Sequence, residues 1–181
     1  AYDPDASGEN PTDVLMVEPS AARVKYFKAL GGFCVHSGLR HGGCFALKGA
    51  NGKLVAATVT FPPNNKNLHK TGICEILHIV KKLGGAKNLP PEMKGGDSEK
   101  RMQQVSNAME KSHKTHAKGL HLYVLAFASA IGHQGQGYGR KLMAFLVESA
   151  RRMNVPAYLE CSGEKNERFY KNNGYALMQR Y

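Results

Sequence analysis

The clearest alternation of apolar and polar positions lies in the C-terminal half of the chain. An apolar run from Leu122 to Ile131 ends in a glycine-rich bend. Beyond it Leu142, Phe145, Leu146, Ala150 and Met153 recur at helical spacing, with Arg140, Lys141, Arg151 and Arg152 on the opposite face. The pattern predicts a strand, a tight turn and a helix reaching about Met153, with Met143 and Met153 as core filler. Asn154-Val155-Pro156 then leads into a second strand ending at Cys161. Glu164 to Lys171 reads as a short polar helix whose apolar contacts are Phe169 and Tyr170, closed by Gly174. Tyr175 to Tyr181 reads as a last strand.

The N-terminal half is patterned less strongly. Residues 1–11 hold Pro, Gly, Asp, Asn and Ser and read as a loose arm. Asp13 to Val17 is a strand candidate. Pro19-Ser20 starts a helix with Val24, Phe27 and Leu30 on one stripe, which Gly31-Gly32 is expected to stop. No clear pattern covers Phe33 to Gly43. Cys44 to Lys48 and Lys53 to Phe61 are strands joined by a Gly49-Ala50-Asn51-Gly52 hairpin signal. Two helices follow: one over Gly72 to Leu83, closed by Gly84-Gly85, and one capped by Asp97 or Ser98 with Met102, Val105 and Met109 as its stripe. His113-Lys-Thr-His116 at the end of the second reads as a frayed, exposed helix end, since no third metal ligand stands at a suitable spacing.

Composition adds constraints. With 181 residues, 42% of them hydrophobic and 22% charged, the chain suits one soluble globular domain. No apolar run is long enough for a membrane span and no signal-peptide pattern opens the chain, so a cytoplasmic location is expected. The four cysteines are far apart, without a Cys-x-x-Cys, and are expected to be reduced, mostly buried thiols. A net charge of +11 raises nucleic acid as a partner, but the basic residues are scattered and lack interleaved aromatics. Part of that charge is assigned to a solvated surface and part to attracting an anionic ligand.

The bend itself, Gln134-Gly135-Gln136-Gly137-Tyr138-Gly139, carries the candidate chemistry. The first N–H groups of a helix have no acceptor within it, and the helix dipole adds positive potential there. Glycines let a phosphate approach that backbone closely. The spacing departs from the Gly-x-Gly-x-x-Gly dinucleotide fingerprint and lacks the lysine of a P-loop. On spacing alone, a phosphate cradle and a plain connecting turn both stand.

Gln134-x-x-Gly137-x-Gly139 resembles the Gln/Arg-x-x-Gly-x-Gly/Ala acetyl-coenzyme A motif of the GCN5-related N-acetyltransferases. His121 to Ser129 resembles that family's fourth strand, Pro156 to Cys161 its fifth, and Asn166 to Tyr175 the helix and glycine turn that follow. The last segment is most similar to the puromycin N-acetyltransferase-like branch. The resemblance covers roughly His121 to Tyr175. It implies an α/β (α+β) fold: a mixed central sheet of about six strands, the fourth and fifth splayed, with helices on both faces. The whole chain would be a single domain, with residues 72–117 as a helical insertion between the third and fourth strands.

The same resemblance implies transfer of acetyl from acetyl-coenzyme A to a primary amine, of a small molecule in that branch, by direct attack in a ternary complex without a metal. It assigns Phe127, Ala128 and Ser129 to pantetheine, and Gln134, Gly135, Gln136, Gly137, Tyr138, Gly139 and Arg140 to the pyrophosphate. Asn166 and Phe169 go to the coenzyme arm and Tyr170 to proton donation toward the thiolate. Glu160 is the candidate general base, set against a carboxylate that only pairs with an arginine. His121 and Tyr123 are held in reserve for the same role. Cys161 is read as a buried thiol rather than an acyl carrier. A protein or peptide N-acetyltransferase, a non-catalytic acyl-coenzyme A sensor and a nucleic-acid-binding module remain as rivals. The acceptor and the oligomeric state are left open.

Overall fold

A computed structural model describes residues 20–63, 80–81, 85 and 97–180, and the structural statements below concern these. The expected arm over residues 1–11, the strand over Asp13 to Val17, Cys74 and most of the helix over Gly72 to Leu83 lie outside them. Of that helix only its end is described, where Gly85, at φ 93°, donates its N–H to Val80 O at 2.9 Å.

The described elements are α1 (Ser20–His41), β1 (Gly43–Lys48), β2 (Leu54–Phe61), α2 (Asp97–His116), β3 (Leu122–Ser129), α3 (Tyr138–Arg152), β4 (Ala157–Tyr158) and α4 (Glu164–Lys171). The strands form one mixed sheet in the order β1-β2-β3-β4, antiparallel except for the parallel β3–β4 pair. Contacts divide the chain into two compact units. One holds the sheet, α3 and the C-terminal part of α1. The other holds α2, α4, the N-terminal part of α1 and residues 160–180.

In the sheet unit, β2 is buried almost from end to end, with only Leu54 and Ala57 exposed. A strand buried on both faces needs a cover on each, and the contacts supply it. Gly38 of α1 lies against the side chains of Val59 and Cys44, which are paired across the sheet. Their neighbour Phe45 points to the opposite face and meets Phe145 of α3, ring centroids 5.0 Å apart. Thr58 is tolerated inside because its hydroxyl donates to Ala126 O at 2.8 Å. The β1–β2 hairpin closes through Gly49 and Lys53 (N–H to O, 2.8 Å), with Gly52 at φ 74°.

Three expectations are corrected. First, α1 does not stop at Gly31-Gly32 but runs on to His41. Burial of Cys34 and Gly38 one turn apart carries the helix past the glycines, since tertiary packing outweighs their poor propensity. Second, the buried stripe of α3 is Leu142, Met143, Leu146 and Ala150. Phe145 is left 44% exposed, beside the equally open Phe45, and Met153 is the C-cap. Third, residues 175–180 form no strand. They are held instead by side chains: Arg180 makes two bonds to Glu167, and His116 lies 2.8 Å from Gln179 Oε1.

Of the described cysteines, Cys34 is buried and Cys44 half-buried, while Cys161, expected to be a buried thiol, is exposed. No described helix is long and apolar enough to cross a membrane.

Candidate functional site

The sheet unit contains the cradle. Ala130 donates its N–H to Val55 O at 2.9 Å, which pins the end of β3 to β2. The chain then turns, with His133 N–H bonded to Ala130 O at 3.0 Å and Gly132 at φ 80°, so glycine occupies the third position of that turn. Gln136 Nε2 donates back to Gly132 O at 3.1 Å and ties the loop across itself. Gly135 at φ 76° and Gly137 at φ 81° bring the chain into α3 in a left-handed conformation that other residues adopt only with strain. An added Cβ at Gly135 or Gly137 would meet no atom within 4 Å. Conformation, not crowding, requires the glycines, and the space in front of them is open.

Lys141 makes the first intrahelical bond, to Gly137 O at 3.0 Å. The N–H groups of Tyr138, Gly139 and Arg140 therefore precede the helix's own ladder. No side chain caps them, and the first turn contains no acidic residue. The cations nearby are Arg140 and Lys141, the latter with its Nζ 5.9 Å from the Tyr138 ring centroid. Three helix-start amides, two cations and open space suit a diphosphate.

β3 supplies the second half of the arrangement. Its ladder with β4 consists of Leu122↔Ala157 and Tyr123↔Tyr158, after which β3 continues alone on that side to Ser129. The pairing with β2 slips by one residue between Val59 and Thr60, leaving Leu125 as the extra residue of a bulge. The slip is visible in the hydrogen bonds. Leu122 N–H points to Pro156 O on the β4 side, whereas Ala130 N–H, an even number of residues further on, points to β2. A bulge bends its strand, and this one sits where the β3–β4 ladder ends. Beyond it the backbone polar groups of Ala126, Ala128 and Ala130 face β2, while those of Phe127 and Ser129 face the side that β4 has left. An extended chain with amide groups could lie along that edge as an added strand.

At the start of β3, His121 Nδ1 lies 2.7 Å from Gly119 O, a contact to a carbonyl in which the ring nitrogen is the donor. The His121 and Tyr158 rings meet edge-on, their centroids 5.9 Å apart, and buried Tyr123 stands 6.2 Å from Tyr158. The sheet unit thus collects Phe127, Ala128, Ser129, His121, Tyr123 and every residue from Gln134 to Arg140.

The second unit holds the remaining sequence candidates. Asn166 Nδ2 donates to Ser162 O at 2.8 Å in the first turn of α4. Tyr170 packs edge-on between Phe169 (5.3 Å) and Tyr175 (5.8 Å). Burial first, then Cys161 and Tyr175, push its phenol far above the ordinary tyrosine range, so it is protonated at any physiological pH. Burial likewise lifts Tyr175 to about 12. Cys161, although exposed, has its thiol pushed up by desolvation and by the Glu167 charge, so thiolate is scarce at neutral pH.

Glu160 also lies in the second unit, two residues beyond the end of β4. Its side chain is 7% exposed, and its Oε1 lies 3.9 Å from Nδ1 of His113. His113, in the segment read as a frayed helix end, is itself buried within α2. The signal for it was in the pattern, because extending the stripe of Val105 and Met109 by another turn lands on Ser112 and His113, the most buried residues described in that helix. Among the described residues no cluster of three His, Cys, Asp or Glu side chains could hold a metal ion.

Residues 102–177 match the family model of the acetyltransferase (GNAT) domain, a span that starts within α2 and ends beyond α4. The chain's mixed sheet with helices on both faces agrees with the fold of that family. The matched segment is thus similar to domains described as acetyltransferases. No curated protein matches the chain.

Proposed function

We propose that this chain is an N-acetyltransferase that moves acetyl from acetyl-coenzyme A to a primary amine in a ternary complex. The observation that carries the proposal is the parting of β3 from β4 after Tyr123↔Tyr158, in the same unit as a helix start that no side chain caps and whose leading glycines have open space beside them. Pantetheine takes the β3 edge at Phe127 and Ser129, with Ala128 behind it, and the pyrophosphate takes the backbone from Gln134 to Arg140. Charge-assisted bonds of this kind contribute on the order of 1 kcal/mol each, enough together for about micromolar affinity. Asn166 and Phe169 are assigned to the coenzyme arm.

The amine nitrogen attacks the thioester carbonyl carbon, the C–S bond breaks, and the amine loses a proton while the thiolate gains one. Tyr170 is the proposed donor to the thiolate, a role that its buried, persistently protonated phenol supports. Glu160 is the proposed acceptor of the amine proton, with His121 the second choice. No protein nucleophile is needed, and the raised thiol of Cys161 supports direct attack.

By resemblance to the puromycin N-acetyltransferase-like branch, the acceptor is a small amine. The test is a free-thiol assay with acetyl-coenzyme A across aminonucleosides, aminoglycosides, amino acids and peptides. Turnover with a small amine supports the proposal. Turnover with peptides alone would replace it with a peptide acetyltransferase, and tight coenzyme binding without thiol release from any amine would replace it with a sensor.

A further inference from the structure

The contact between His113 and Glu160 joins two titratable groups 47 residues apart in the chain, one near the C-terminal end of α2 and the other just beyond β4, within one unit. Their side chains are 8% and 7% exposed respectively, and the separation of 3.9 Å is an ion-pair distance, longer than a direct hydrogen bond. Burying a carboxylate costs several kcal/mol unless a partner offsets it, and a buried ion pair is often no more stable than apolar residues of the same volume. Stability alone gives little reason to place these two residues here. A carboxylate and an imidazole held side by side do have a chemical use: together they take up one proton more readily than the carboxylate alone.

We propose that His113 is the positioning residue of Glu160, orienting its carboxylate and sharing the proton that Glu160 accepts. This rests on the reading of Glu160 as general base. The amine's proton passes to the Glu160 carboxylate and, once the two side chains close from 3.9 Å to hydrogen-bond distance, comes to rest on His113 Nδ1, leaving an imidazolium–carboxylate pair that solvent later deprotonates. A lone carboxylate is a weak acceptor for an ammonium proton, whereas an imidazole ordinarily titrates nearer neutrality, where general bases work best.

The other titratable groups of these elements are assigned separately. His116, one turn along α2, lies against Gln179. Cys161, next to Glu160, feels the Glu167 charge, and Tyr170 in turn feels Cys161 and Tyr175.

Two measurements test the proposal. In the first, the histidine Cε1–H resonance of His113 is titrated in the full chain, assigned by its loss in His113→Gln. Its midpoint should fall by at least about one pH unit in Glu160→Gln, because the neighbouring negative charge is gone. An unmoved midpoint overturns the proposal. In the second, kcat is followed against pH at saturating substrates. His113→Gln should shift the acid limb down by about two units, the gap between an imidazole and a carboxylate, and lower the plateau, with the KM for acetyl-coenzyme A unchanged. His113→Asn, smaller but also non-titrating, should behave alike if folding is intact by circular dichroism. An acid limb that stays in place in both variants overturns the proposal while leaving Glu160 as base. A Glu160→Gln enzyme with the wild-type profile removes the base reading itself.

Discussion

Lys141 donates its N–H to Gly137 O at 3.0 Å, so the ladder of α3 begins on a glycine held at φ 81°. The bond places the amides of Tyr138, Gly139 and Arg140 outside the ladder and makes the conformation of Gly137 the gate to them.

Gly137→Ala should therefore weaken acetyl-coenzyme A binding without a steric clash, since its Cβ would meet nothing within 4 Å. The left-handed backbone costs a non-glycine residue about 1–2 kcal/mol. If the chain relaxes that strain by moving the amides, affinity drops about tenfold or more, and Gly137→Val, which adds bulk where the phosphate is proposed to lie, abolishes binding. Calorimetry gives both numbers, and normal affinity in the valine variant would remove the phosphate assignment.

Tyr170→Phe should lower kcat by about 10²-fold or more while the KM for acetyl-coenzyme A stays put. A parallel loss in both would make Tyr170 a packing residue. Cys161→Ala should retain activity, and no acetylated enzyme should accumulate in mass spectra of quenched reactions, because the raised thiol offers little thiolate.

The two buried phenols also predict alkaline instability. Tyr170 and Tyr175 have folded values above that of an unfolded tyrosine, about 10, with Tyr175 at about 12. Raised acids favour the folded state while protonated. Their contribution is complete below pH about 10 and is lost as pH rises from there through about 12 and beyond. Denaturant unfolding across that window should show a steep fall, shallower in Tyr175→Phe.

At the acid end, Arg180 first and then Lys171 hold the Glu167 carboxylate down at about 2. A depressed carboxylate favours the folded state above its unfolded value of about 4.3, and that contribution is lost as pH falls toward 2. The Arg180 and Lys171 side chains are exposed and the pairs screened, so Glu167→Gln should barely move the melting temperature. Hydrogen exchange of residues 175–180 should nevertheless rise, since Arg180 anchors that segment through Glu167. Unchanged exchange would refute the anchoring.

Gly42→Ala tests the packing of the turn between α1 and β1. An added Cβ would run into the carbonyl oxygen of Thr60, a backbone atom that cannot swing away. A loss of about 1–3 kcal/mol is expected, and thermal or urea unfolding would measure it.

The strand, bend and helix from Leu122 to Arg152 were legible in the sequence because each follows a local rule: an apolar run, glycines where φ must be positive, and a stripe at helical period. Gly174, at φ 91° after α4, was legible for the same reason. The readings that failed concern contacts between distant segments. Gly31-Gly32 looked like a stop, yet the burial of Cys34 and Gly38 carries α1 onward. His113 looked like the frayed end of a polar helix until a residue from the exit of β4 came to lie 3.9 Å away.

Local propensity and periodicity act over one or two helical turns, so the residues alone determined the elements and the glycine bend. Where a strand slips its register by one residue, as β3 does at Leu125, and which buried imidazole faces which carboxylate, are settled by side chains brought together across the chain, and only the tertiary structure decided them.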